Sequence, residues 1–162
     1  MKIAQKMRRE EGAAAVEFAL IVGVLAMLIF GMLQYGLAFF QLQNLRSAAR
    51  EGARIGAVGA TVDEVRQRTS LSSFGALPVN SGALVVSYTN DGTTWTSVSG
   101  ANRACPPKSD QTTSSQTKVT VDLNSSALPA MLQDIFVLDI PLMPPIDLRN
   151  ATVNGVFRCE GN

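Results

Sequence analysis

Side chains that ordinarily carry enzyme chemistry are sparse in this sequence of 162 residues. It has no histidine, which removes the commonest general base and the commonest metal ligand. The two cysteines, Cys105 and Cys159, stand far apart, with no CxxC pair and no cluster of metal-ligand spacing. A structural zinc site is therefore not expected, and neither is any cofactor. The carboxylates are dispersed, and no nucleophile–base pair is marked by a motif. These residues predict a protein that is not an enzyme. One carboxylate is in an unusual place: Glu17 sits at the edge of a long apolar stretch.

That stretch must position Glu17. Lys2, Lys6, Arg8 and Arg9 crowd the start of the chain, and from residue 18 to residue 45 nothing is charged. A membrane-spanning helix needs ~20 predominantly apolar residues, and residues 18–40 supply them. A buried helix of a soluble domain is disfavoured, because so small a chain has little core to surround it. A cleaved secretory signal is disfavoured too. Its small-residue site follows the apolar run, whereas Ala13, Ala14 and Ala15 precede this one. Positive charge alone does not orient the span, since Arg46, Arg50 and Arg54 balance the leader. The region beyond is rich in Ser, Thr, Asn and Gly and holds both cysteines, which places it outside the cytoplasm and the N-terminus inside.

An ionised carboxylate opposes insertion by about 2.5–3.5 kcal/mol at a helix centre and by less near the interface. Glu17 is either solvated at headgroup depth or held by a partner. The residues around it suggest the partner. Gly12 ends the basic leader, and Ala13-Ala14-Ala15-Val16-Glu17-Phe18 follows. This resembles the processing site of type IV-like prepilins, which implies a cut by a prepilin peptidase between Gly12 and Ala13. Glu17 would then lie one helical turn from a new amine on Ala13. With Phe18 beside it, Glu17 would set the axial register between helices, a claim about specificity rather than stability.

Further residues extend the likeness. Phe30-Gly31, Tyr35-Gly36, Phe39 and the run Ala48-Ala49-Arg50-Glu51-Gly52-Ala53-Arg54 resemble the TadE-like family of the tight-adherence (Flp-type) pilus system, over about residues 8–58. The resemblance implies a minor pilin or pseudopilin. One departure is Gln34, where that family often carries an acidic residue, so a second charge within the span is missing.

Beyond the span, residues 41–57 lack proline and keep a helical pattern. Ala48, Gly52, Gly56 and Ala60 recur every four residues, as do Ala15, Ala19 and Gly23 within the span. Small residues at this spacing let another helix backbone approach closely, and either another subunit or the chain's own sheet would serve. The alternative is that the glycines merely weaken the helix, by ~1 kcal/mol each relative to alanine. Arg46, Arg50 and Arg54 form a ladder that reads as a solvated face near lipid headgroups.

The organisation expected is a leader at 1–12, a transmembrane and juxtamembrane helix at 13–60, a connector at 61–82 and a β-rich outer domain at 83–162. The fold class is α+β: a long N-terminal transmembrane helix followed by a small antiparallel β-sheet domain. Asp63, Glu64, Arg66 and Arg68 predict a polar turn or helix. Residues 84–88 and 93–98 predict strands around Asn90-Asp91-Gly92, a strong hairpin signal. Residues 118–123 and 150–159 predict two more strands. Residues 127–147 are apolar, but Asp134, Asp139 and Asp147 and four prolines argue against a second span; a short helix at 127–136 and a packed loop are expected. Cys105 and Cys159 are either bonded across a long loop, which would stabilise by about 3–4 kcal/mol, or two unpaired thiols. Asn124-Ser125-Ser126 and Asn150-Ala151-Thr152 match the glycosylation acceptor pattern, a chance match if the protein is bacterial, as the resemblance implies.

Two functional readings follow. The first is a structural pilus subunit in the bacterial cytoplasmic membrane. Its partners are other pilin or pseudopilin subunits, pilus assembly membrane proteins, a prepilin peptidase and the lipid bilayer. The second is an uncleaved, single-pass membrane-anchored binding module, a sensor or adhesin. The near-balanced net charge of +1 points to no nucleic acid.

Overall fold

A computed structural model describes residues 2–74, 76–79, 81–138 and 145–160, with backbone alone for residues 2–11 and 138. The side chains of Lys2, Lys6, Arg8 and Arg9, and the residues Asp139, Pro141 and Pro144, lie outside the described part. The elements in chain order are α1 (Lys2–Ala57), α2 (Val62–Ser72), β1 (Leu84–Thr89), β2 (Thr96–Val98), β3 (Gln116–Asp122), α3 (Ala130–Ile135), β4 (Val137–Leu138), β5 (Ile146–Asp147) and β6 (Thr152–Arg158). The architecture is α+β, one long apolar helix and a small antiparallel sheet.

No proline occurs before Pro78, so nothing interrupts the hydrogen-bond ladder of α1. Its end is a glycine stop. Gly59 takes φ +97°, its amide donates to the Gly56 carbonyl at 3.1 Å, and the Ala60 amide donates to the Ile55 carbonyl at 3.4 Å. This paired arrangement satisfies the last carbonyls of a helix and requires a residue at ease with positive φ. The helix therefore stops at Ala57, three residues short of the expected boundary, and Ala60 does not continue the small-residue row. Thr61 then opens α2. Its hydroxyl accepts from the Glu64 amide, and the Glu64 carboxylate accepts from the Thr61 amide at 2.8 Å. This reciprocal box holds the Glu64 carboxyl below its usual range, chiefly through the Thr61 amide. The chain thus reverses within a few residues, and α2 runs back along α1.

Four strands form one sheet in the order β2-β1-β3-β6, every neighbour antiparallel. Pairing sets Val86 opposite Val119 and Val119 opposite Gly155, and sets Leu84 opposite Val121 and Val121 opposite Val153. Alternation puts these residues on one face, and Leu84, Val86, Val119, Val121 and Val153 are buried there. Lys118, Thr120 and Asn154 take the other face, where the Lys118 ammonium lies 4.1 Å from the centroid of the Trp95 ring. The β1–β2 hairpin forms as expected from Asp91-Gly92, but its loop is wider than a two-residue turn, and β2 starts only at Thr96. Asp91 explains the width. Its carboxylate accepts from the Thr94 amide, the Thr89 hydroxyl and the Thr93 amide, which together hold it far below the ordinary carboxylate range.

Residues 127–147 hold a shorter helix than expected, α3, and a two-stranded ribbon of β4 and β5 that alternation did not reveal, since each strand has only two residues. Leu128, Leu132 and the fully buried Phe136 close one end of the core.

The helix lies directly on the sheet. A Cβ placed on Gly155 would run into the carbonyl of Ala49 and the amide of Arg50, both backbone, so no side chain fits between β6 and α1. Neither backbone can yield cheaply. Gly155→Ala is expected to lower stability by about 1–3 kcal/mol, the usual range for overpacking. Gly82→Ala, with its nearest neighbour at 3.9 Å, is the matched control. Equal midpoints of thermal unfolding for the two variants would contradict this account of the contact.

Candidate assembly helix

The long helix has two unlike halves. From Gly12 to Leu37 its side chains are exposed or half-buried, and the first fully covered residue is Ala38. From there Ala38, Leu42, Leu45, Ala48, Ala49, Gly52, Ala53 and Ala57 are buried. Among the described residues α1 is the one helix long and apolar enough to cross a membrane, and none of its most apolar window is covered by protein. Phe18, Leu20, Phe30 and Met32 are each about two-thirds exposed or more. Apolar surface this extensive is not left to water in a soluble monomer. The chain fits a single-pass membrane protein.

Small residues in the covered half meet the chain's own domain. A Cβ on Gly52 would collide with the Thr69 hydroxyl of α2, and one on Gly56 would lie 3.0 Å from the Ala104 Cβ and 3.3 Å from Thr117 Oγ1. Thr69 is itself fully buried and donates to the Val65 carbonyl at 2.7 Å. Of the two partners left open for Ala48, Gly52 and Gly56, the structure thus brings up the chain's own α2, β3 and the segment around Ala104. Ala15, Ala19 and Gly23 are different. All three are exposed, and nothing lies within 4 Å of a Cβ on Gly23. Arg46, Arg50 and Arg54 are exposed, and Arg54 forms a forked pair with Glu51 at 2.9 Å.

Gly12, Ala13, Glu17 and Phe18 lie in unbroken helix at the far end of the uncovered half. Ala13 and Glu17 are one turn apart on one side of it, a spacing at which side chains of a helix are neighbours. Glu17 is exposed and, among the described residues, makes no ion pair. Its surroundings are those of a group at the end of an apolar rod rather than in a cleft.

At the other end of α1 stands the cross-link. Cys105 and Cys159 form a disulfide with Cα atoms 6.0 Å apart. The Cys159 amide donates to the Ser115 carbonyl and the Glu160 amide to the Ala57 carbonyl, each at 2.9 Å. The bond thus ties the end of β6 to the end of α1 and to the segment that follows β2.

A family model for TadE-like proteins matches residues 12–54. Over these residues the chain is similar to TadE-like proteins. The match begins at Gly12 and takes in the whole uncovered half of α1 and most of the half that docks on the sheet. It supports a protein associated with the tight-adherence pilus, and the TadE-like family is structural rather than enzymatic. No curated protein and no solved structure matches the chain.

Two residues that position the TadE-like segment escaped sequence reasoning. Gly155 reads there as one member of a strand, although a glycine inside a strand pattern is a signal of close backbone approach. Thr69 carries no signal, since only the fold brings it over Gly52.

The disulfide closes a separation of 54 residues, for which loop entropy gives about 4 kcal/mol. Reduction is expected to lower the midpoint of thermal unfolding correspondingly. Thiol labelling of the unreduced, denatured protein is expected to modify neither cysteine. Full labelling of both would show that the cross-link does not form.

Proposed function

We propose that this chain is a minor pilin or pseudopilin, a structural subunit used in assembling a tight-adherence (Flp-type) pilus. It would sit in the bacterial cytoplasmic membrane with its N-terminus in the cytoplasm and its disulfide-bonded domain outside, where an oxidising compartment maintains such bonds. The observation that carries the proposal is a coincidence of boundaries. The TadE-like match starts at Gly12, where the basic leader ends, and runs through the length of α1 that the chain's own domain leaves uncovered.

A prepilin peptidase would cut after Gly12 and release a positive amine on Ala13. Ala15, Ala19 and Gly23 would then offer other pilin or pseudopilin helices a close approach. Glu17 would answer the amine of Ala13, its own or a neighbour's, and thereby select one axial register. In a low dielectric the attraction is strong but desolvation offsets it, so the pair would fix register rather than add stability.

Cleavage has a direct signature. Lys2, Lys6, Arg8 and Arg9 leave with Glu10 and Glu11, a loss of four positive and two negative charges that takes the net charge from +1 to −1. Intact mass of the protein from native membranes is expected to correspond to a chain beginning at Ala13. A chain beginning at Met1 or Lys2 with its peptidase present would favour an uncleaved anchored module instead.

Glu17→Gln tests the register role. Insertion depends on total apolarity, which this change raises, and the cut depends mainly on the glycine side of the site. Both are expected to proceed. Co-purification with other pilus components is expected to fall, because glutamine keeps a hydrogen-bond acceptor but loses the charge. Undiminished co-purification would leave Glu17 as a solvated interfacial residue.

A further inference from the structure

The end of the outer domain nearest the span carries apolar side chains that none of the described residues covers. Because α2 runs antiparallel to α1, its C-terminal end returns toward the membrane side. There Phe74 has φ +53°, the one non-glycine residue at positive φ among the described residues, and it is 87% exposed. A left-handed backbone is unfavourable for a bulky residue, and here it thrusts an aromatic ring outward. Met131 projects from α3 beside it, 77% exposed. Phe74, Met131 and Leu132 line an open apolar groove whose other wall is Phe40, Gln41 and Asn44 of α1. The ring of Phe40 is itself 60% exposed.

The level of this groove follows from helix geometry. Phe18 and Phe40 are separated by 22 residues, about 33 Å at ~1.5 Å per residue, against a hydrocarbon core of about 30 Å. With Phe18 at one rim, Phe40 is at the other. Arg46 lies about 9 Å further along, in the headgroup zone, and it is exposed. The groove is thus continuous with the lipid-facing surface of the span and meets it at the outer interface.

We infer that Phe74 and Met131 are a second membrane contact: the underside of the outer domain is seated in the lipid bilayer at the level of Phe40. The inference rests on residues 18–40 crossing the membrane. Its consequence is mechanical. A domain held to lipid at Phe74 and Met131 as well as through α1 is restrained from swinging about the helix, so the angle it presents to other subunits is set by the membrane surface.

The test uses the full chain in a Trp95→Phe background, reconstituted in phosphatidylcholine–phosphatidylglycerol vesicles carrying lipids brominated at shallow or deep acyl positions. Single indoles are introduced as Phe74→Trp, Met131→Trp, Leu28→Trp in mid-span and Val58→Trp just past the far end of α1. Leu28→Trp is expected to be quenched by deep bromines, and Val58→Trp by aqueous acrylamide alone. Phe74→Trp and Met131→Trp are expected to emit to the blue of Val58→Trp and to lose several-fold more intensity to shallow bromines. If both behave like Val58→Trp while Leu28→Trp is quenched, the span stands and the second contact is refuted. Shielding from acrylamide and bromines alike, lost on dilution to one protein per vesicle, would assign the groove to a second copy and equally overturn the inference. If Leu28→Trp also escapes the lipid quenchers, the span reading falls as well.

Discussion

Backbone-to-backbone approach of α1 and the sheet is the contact on which the other features depend. At Gly155 the strand backbone meets the helix backbone at Ala49 and Arg50, and at Gly52 and Gly56 the helix admits Thr69, Ala104 and Thr117 to its own axis. Three glycines would ordinarily weaken a helix and a strand, by up to ~1 kcal/mol each. Here they allow close packing of the surrounding Leu45, Ala49, Ala53, Val119 and Val153, all buried in one core. Packing density of this kind transmits force without slack. The covered half of α1 is therefore a rigid grip, and the half that precedes it is a rod whose direction the domain sets.

The same contact divides the small residues of the helix into two groups with different surroundings. In isolation Ala15, Ala19 and Gly23 repeat the pattern of Ala48, Gly52 and Gly56. Once the chain's own domain has covered the second group, the first is left exposed among the described residues. Charge follows the same division. Arg46, Arg50 and Arg54 face away from the core, where Glu51 is held below its usual range chiefly by the Arg54 guanidinium. Glu17 lies at the other end of the rod. The polar groups thus mark the two interfacial levels, with an uncharged length between them that matches a bilayer.

Two closures keep the grip intact. The glycine stop at Gly59 and the Thr61–Glu64 box turn α2 back along α1 within a few residues. The Cys105–Cys159 bond and the hydrogen bond from the Glu160 amide to Ala57 return the end of β6 to that corner. Both lie at the end of α1 remote from the span. Among the described residues nothing comparable lies at the near end, where α2 is followed by Phe74 and the apolar groove opens.

Sequence alone determined the features that depend on neighbours along the chain. The span is legible because ~20 uncharged residues have few other uses. The TadE-like resemblance is legible because it rests on residues close together in the chain, and it falls on the stretch that the family model matches. The segment of α2 was legible as a polar turn or helix from Asp63, Glu64, Arg66 and Arg68, the β1–β2 hairpin from Asp91-Gly92, and the strand β3 from alternation. What tertiary structure decided depends on contacts between distant segments. It brought the chain's own domain up to Gly52 and Gly56, pressed Gly155 against the backbone of α1, paired β4 with β5, and turned Phe74 outward. Beyond the general signal of a glycine inside a strand, no local pattern encodes these outcomes, because each is set by the atom that arrives from elsewhere: the Ala49 carbonyl over Gly155, the Thr69 hydroxyl over Gly52.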